Sequence, residues 1–219
     1  MRVATQASNT QIYLVIEAGS AAAERLAAAL GADAGIAAVL IRPGANTLDA
    51  TAARPLVEIA QKANVAALVD GDAALARTLR ADGVHLAWSP NLRAAYDEAR
   101  DILGTRFMVG VAISTAAETA RHDAMELAEA GADYIGFEPS GPEDANAQIE
   151  FAGWWAEIFQ VPCVVFGVGD GEAAQDFSAM AVDFIGVDLP AGTSPADGTT
   201  RLRNIGAALS PSADAGVRS

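Results

Sequence analysis

Arg80-Ala81-Asp82-Gly83-Val84-His85-Leu86 reads as a helix end, a tight turn and a short buried strand. The same punctuation returns at Gly131-Ala132-Asp133-Tyr134-Ile135-Gly136-Phe137 and at Ala181-Val182-Asp183-Phe184-Ile185-Gly186-Val187. A fainter copy, Gly31-Ala32-Asp33, precedes the apolar run over residues 36–41. The aspartates Asp33, Asp82, Asp133 and Asp183 lie 49, 51 and 50 residues apart. Regular spacing of this length marks repeated supersecondary units. A short polar side chain just before a strand can tie down the N–H groups of the turn, so a structural role is expected for these aspartates.

On either side of these copies, apolar runs alternate with alanine-rich helical segments. Strands are expected over residues 11–17, 36–41, 66–69, 83–86, 107–112, 134–137, 163–166 and 184–188. Helices are expected over residues 21–30 with Ser20 as N-cap, 50–63, 73–79, 91–103 with Asn91 as N-cap, and from Ser114 or Thr115 to 130. Three more follow over 150–159, 172–180 and 199–209. Continuous apolar strands alternating with helices indicate a parallel sheet with crossover helices. Eight such units in 219 residues fit a single-domain α/β (β/α)8 TIM barrel with little insertion. The aspartate repeat then marks quarter-barrels of two βα units each. A doubly wound sheet is the alternative, but the first βα turn, Glu17-Ala18-Gly19-Ser20, is no dinucleotide fingerprint. The barrel is expected over residues 10–209, with a short N-terminal arm before it (1–9) and a disordered tail after it (210–219).

Hydrophobic residues make up 52% of the chain but aromatic ones only 6%, so the core must be built from Ala, Val, Leu and Ile. The net charge of −14 argues against nucleic acid, whose phosphates are met by clustered Lys and Arg. There is no basic amphipathic stretch for an anionic membrane. No apolar run approaches the roughly 18 residues of a spanning helix. Residues 1–9 lack the apolar core of a signal peptide, so the expected compartment is the cytoplasm. Cys163 sits in an apolar run and reads as a buried, inert thiol.

In a barrel the ligand site lies in the loops that follow the strands. Those loops carry Arg42, Asp70, Asp72, Trp88, Ser89, Ser114, Glu138, Asp170 and Asp188, an acidic set with one prominent cation. Asp70 and Asp72 could hold a hard cation such as Mg²⁺ through oxygen. Asp72 could equally cap the helix that follows. His85 lies within a strand and could point into the barrel, as a satisfied core histidine or as a base. Gly167, Gly169 and Gly171 follow strand seven, where backbone N–H groups often face a phosphate; a plain tight turn is the other reading. A small-molecule ligand at this C-terminal face is expected. Trp154-Trp155 and the alanine-rich helices could support a homodimer, or could pack helix six onto the barrel.

The chain resembles the thiamine-phosphate synthase family, which includes the thiazole tautomerase branch, over most of its length. The marks are Ile12-Tyr13-Leu14-Val15, Ala81-Asp82-Gly83-Val84-His85-Leu86, Gly131 to Phe137 with Pro139, and Val161-Pro162. The resemblance implies joining of a hydroxymethylpyrimidine diphosphate to a thiazole phosphate, with Mg²⁺ present and pyrophosphate released. Arg42 and Gly167 fall on family positions; with Asp70, His85 and Gly169 they are the expected substrate-binding residues, and Asp70 and Asp72 the expected Mg²⁺ ligands if synthase chemistry is retained. Several positions depart from the family pattern. Of a Gln-x-Arg-x-Lys pattern after strand two only Arg42 remains, between Leu40 and Gly44. An Asn-Asp pair becomes Asp70-Gly71, and a Gly-Gln-x-Asp stretch becomes Ala87-Trp88-Ser89-Pro90. The family Ser after strand five falls at Ala112, Ser114 stands where the tautomerase branch has His, and the loop after strand six has no Lys but carries Glu138, Glu143 and Asp144. The expected function is thus a synthase-like barrel with the usual chemistry lost or altered. The alternatives are an active divergent synthase, or a different small-molecule enzyme or ligand-binding, regulatory protein on the same barrel.

Overall fold

The structure, a computed structural model, describes residues 10–139, 141 and 144–210. Eight parallel strands close into a barrel in sequence order: β1 (Gln11–Glu17), β2 (Ile36–Arg42), β3 (Ala66–Asp70), β4 (Gly83–Leu86), β5 (Met108–Ser114), β6 (Tyr134–Glu138), β7 (Cys163–Val165) and β8 (Phe184–Leu189). The helices α1 (Ala22–Leu30), α2 (Ala50–Lys62), α3 (Ala73–Leu79), α4 (Leu92–Leu103), α5 (Ala120–Glu129), α6 (Ala145–Ile158), α7 (Gly171–Ala179) and α8 (Pro195–Leu209) follow the strands in turn. The chain is therefore a (β/α)8 TIM barrel.

Alternate strand residues divide into two cores. One set, including Ile12, Leu14, Val39, Val69, Val84, Val111 and Ile135, packs with the buried faces of the helices. The other set, Tyr13, Val15, Ala38, Leu40, Leu68, Tyr134, Val164 and Phe166, fills the barrel. The interior accommodates its rings only because glycines face them. A Cβ on Gly110 would lie 1.9 Å from Tyr134 Cζ, and Cβ atoms on Gly136 and Gly186 would lie 2.6 and 2.5 Å from ring carbons of Phe166.

Three aspartates of the repeat close the bottom of the barrel. Asp82 accepts a bond from Ala67 N at 2.8 Å, Asp133 from Val109 N at 2.7 Å and Asp183 from Cys163 N at 3.0 Å. Each carboxylate just before an even-numbered strand thus anchors the start of the preceding odd-numbered one, which is the quarter-barrel unit expected from the spacing. Arg100 adds a salt bridge to Asp133. Asp33 differs: it holds a left-handed backbone, φ 54°, ahead of β2.

The element boundaries shift where long-range contacts override local signals. Ser20 is not the cap of α1; the N-cap is Ala21, at φ 57° with no side-chain bond. The turn is set instead by buried Arg25, whose guanidinium donates to the carbonyls of Glu17, Ser20 and Ala191. Neither Ser114 nor Thr115 caps α5, because β5 runs on to pair Ser114 with Glu138. α6 begins five residues before the expected start, and its Gln148 donates to the Phe137 and Phe166 carbonyls at 2.8 Å each. α8 opens at Pro195 behind a Ser194 cap, the position that proline suits best in a helix. Trp155 is fully buried, donates to Val161 O at 2.8 Å and stacks on Phe159, so it packs α6 onto the barrel. Cys163 is buried, and burial pushes its thiol up to about 12. The arm at 1–9, the tail from 211 onward, and Ser140, Pro142 and Glu143 lie outside the described residues.

Candidate functional site

Strand alternation decides which polar residues reach the carboxyl-end mouth. Arg42, Asp70, Glu138 and Asp188 lie an even number of positions after interior residues of β2, β3, β6 and β8, so their side chains turn inward above the core. Arg42 is ion-paired with Glu138 and has its Nε 3.7 Å from Asp70 Oδ2. β2 and β6 are on opposite sides of the eight-stranded ring, so the Arg42–Glu138 pair bridges the mouth. The guanidinium also sits 5.6 Å from the Phe166 ring centre, within cation–π range.

Beneath Phe166 lies a buried polar chain. Tyr13 and Tyr134 hydroxyls are 2.6 Å apart, and Tyr134 Oη is 2.8 Å from His85 Nδ1. Phe166 packs edge-on against both Tyr13 and His85. His85 Nε2 is buried and, among the described residues, has no hydrogen-bond partner. If Tyr13 donates to Tyr134 and Tyr134 donates to Nδ1, both phenolic hydrogens are satisfied and the ring proton falls on Nε2. The opposite direction leaves the Tyr13 hydrogen with no acceptor. His85, expected as a core residue or a base, is inward-facing, half satisfied, and neutral.

Burial and charge set the protonation of this cluster. Burial, aided by the Arg42 charge, depresses His85 to about 3. Burial raises Tyr134 and Tyr13 above the ordinary phenol value. Burial also raises Asp70 and Asp188, although Arg42 pulls both the other way. Desolvation opposes the Arg42 charge, but Glu138, then Asp70 and Asp188, hold it above the usual arginine value. Among the described residues, the mouth thus sets Arg42 among three carboxylates, with Arg201 and Glu17 also acting on Asp188.

The other expected site residues divide. Asp70 joins the cluster. Asp72 does not join it through any bond: its Oδ1 accepts from Leu75 N at 2.8 Å, the helix-capping role. Among the described residues no three His, Cys, Asp or Glu side chains come together as a metal site. Gly167 takes a positive φ of 78°, as a tight turn requires. The Val168 and Gly169 carbonyls accept from Arg201, at 3.2 and 3.0 Å, and Asp170 caps the start of α7 by accepting from Ala173 N at 3.0 Å. The helix end that could face a phosphate therefore carries its own carboxylate. Tyr13, Tyr134 and Phe166 were not read as site residues. The signal was present in their strand parity, which matches that of Arg42 and His85 only once the barrel is closed.

A closed (β/α)8 barrel with a buried polar floor and a charged mouth at the strands' carboxyl ends defines a TIM-barrel protein whose charged groups gather on its C-terminal face. Within that class, the chain belongs to the thiamine monophosphate synthase family, whose model matches residues 12–188. It is 32% identical to a thiamine-phosphate synthase of Erythrobacter litoralis over 190 residues, covering 81% of this chain and 86% of that protein. A thiamine-phosphate synthase of Hyphomonas neptunium is 33% identical over 134 residues, 59% of this chain and 58% of that one. Among solved structures, thiamine phosphate pyrophosphorylase from Pyrococcus furiosus superposes with a TM-score of 0.73 at 21% identity, covering 92% of this chain and 96% of that one. At that identity the superposition speaks to the fold.

Proposed function

We propose that this family member keeps the barrel and a small-molecule site at its C-terminal face, and that the usual diphosphate displacement is lost or altered. The observation that carries this reading is the pairing of Arg42 with Glu138 and Asp70. Departure of pyrophosphate requires cations aimed at the developing negative charge. Here Arg42 is already countered, and a diphosphate would have to displace or approach three carboxylates. At the low effective dielectric of a barrel mouth, an uncompensated like charge can cost on the order of several kcal/mol. The donor set also fits a magnesium–diphosphate complex poorly, since Asp72 caps a helix while Asp70 faces Arg42. A neutral or cationic ligand suits the mouth better.

The deciding experiment supplies the purified protein with hydroxymethylpyrimidine diphosphate, thiazole phosphate and Mg²⁺, and follows pyrophosphate and thiamine phosphate. No turnover above background is expected. A second reading, an active divergent synthase, is favoured by the relatives, which carry the thiamine-phosphate synthase name, among them the two described above at 32% and 33% identity. Turnover abolished by Arg42→Ala would establish it and sink the first.

A further inference from the structure

The chain has 28 acidic and 14 basic Lys and Arg residues, yet one hollow is lined by three arginines. It lies at the bottom face, where α3 ends and β4 and β5 begin, with a volume of about 470 Å³. Its walls are Arg77, Arg80 and Arg106 with Ala81, Asp82 and Phe107. Among the described residues none of these three arginines is paired with a carboxylate. Arg77 donates from Nη1 to Ile102 O at 3.1 Å. Asp82 is the opposing charge, but its Oδ2 already accepts from Ala67 N and from Gln61 Nε2.

Arg80 has a second peculiarity. It ends α3 in the left-handed region at φ 56°, where a glycine is at ease and an arginine is strained. The equivalent position before Asp133 is Gly131, at φ 94°. The Asp82 unit therefore carries a charged side chain where the Asp133 and Asp183 units carry Gly131 and Ala181 in the same left-handed turn. The net charge of −14 does not cancel this local field, because charges farther away than roughly 8 Å are largely screened at physiological salt. Guanidinium forks match phosphate oxygens in pairs. We propose that this hollow is a binding site for a compact multiply charged phosphate anion, of the size and charge of a diphosphate, remote from the C-terminal-face site.

Calorimetry with sodium pyrophosphate, on the full chain without Mg²⁺, tests this. One saturable site is expected, weakening as salt rises. Arg80→Gly and Arg106→Ala should each raise the dissociation constant at least about tenfold, while Arg42→Ala, at the other end of the barrel, leaves this binding in place. Arg80→Gly also relieves the left-handed strain, so its melting temperature should rise, and loss of binding in that variant cannot be blamed on unfolding. The proposal is overturned by no saturable binding, by binding that Arg42→Ala removes, or by binding indifferent to Arg80→Gly and Arg106→Ala.

Discussion

At the bottom of the barrel Asp82, Asp133 and Asp183 each turn a carboxylate onto the N–H that starts a neighbouring strand. At the top Asp70, Glu138 and Asp188 turn theirs toward one guanidinium. The residue types are the same and the physical roles differ. A carboxylate bonded to the N–H of a buried strand residue holds the fold, since its loss leaves that donor without its partner. A carboxylate facing a partly exposed cation sets the charge of a cavity and contributes little to folding. The bottom of this barrel is therefore where carboxylates anchor the backbone, and the top is where they gather around a charge.

The largest test of that division is Asp133→Ala. It leaves Val109 N unpaired and removes the partner of Arg100, so a loss of about 2–3 kcal/mol is expected by urea unfolding. A loss below about 0.5 kcal/mol would break the division at its stronger end.

Next in size is a pH effect from the upper core. His85 is held near 3 when folded and returns to about 6.5 when unfolded. Its contribution to stability is complete above pH 6.5. It falls away as the pH drops below 6.5, by about 1.4 kcal/mol per unit, until the folded value is reached. Between pH 7 and 5 that amounts to about 2 kcal/mol. Asp70 and Asp188 act in the opposite sense, because their raised values let the folded form take up protons first. Urea titrations of wild type and His85→Gln at both pH values isolate the histidine. The variant should lose about 2 kcal/mol less on acidification, and equal losses would place the pH dependence elsewhere.

The smallest expected effect on stability is at the mouth itself. Glu138→Gln should change unfolding free energy by less than about 1 kcal/mol, since both partners of the Arg42 pair are about one-quarter exposed, at 27% and 25%. Its effect should instead appear in binding. In an Arg80→Gly background, which weakens the bottom site, removing this counter-charge should raise the overall pyrophosphate affinity by adding a site at the mouth that the wild type lacks. Unchanged affinity would show that Glu138 does not guard Arg42.

The same division explains what could be read without coordinates. The bottom was legible because its chemistry is local and repeated: a helix end, an aspartate and a strand, recurring about every 50 residues. The Asp72 cap was legible for the same reason, with its bond to Leu75 N only three residues away. The mouth was not, because Arg42 and Glu138 are 96 residues apart and meet only through barrel closure. The Tyr13–Tyr134 bond spans 121 residues and leaves no local trace. Ser20 and the start of α6 misled for a related reason: Arg25 and Gln148 reach distant carbonyls that outweigh the local capping signals.

The fit of Tyr134 against Gly110, and of Phe166 against Gly136 and Gly186, has a consequence for descent. A side chain gained at 110 has no space unless the ring at 134 is given up, and the reverse exchange would leave a void. These positions should therefore be inherited as linked sets, changing together or not at all. The charged residues at the two mouths carry no such steric tie to one another. Lineages of this barrel should drift more freely at the carboxyl-end mouth, while their interiors move only in coupled steps.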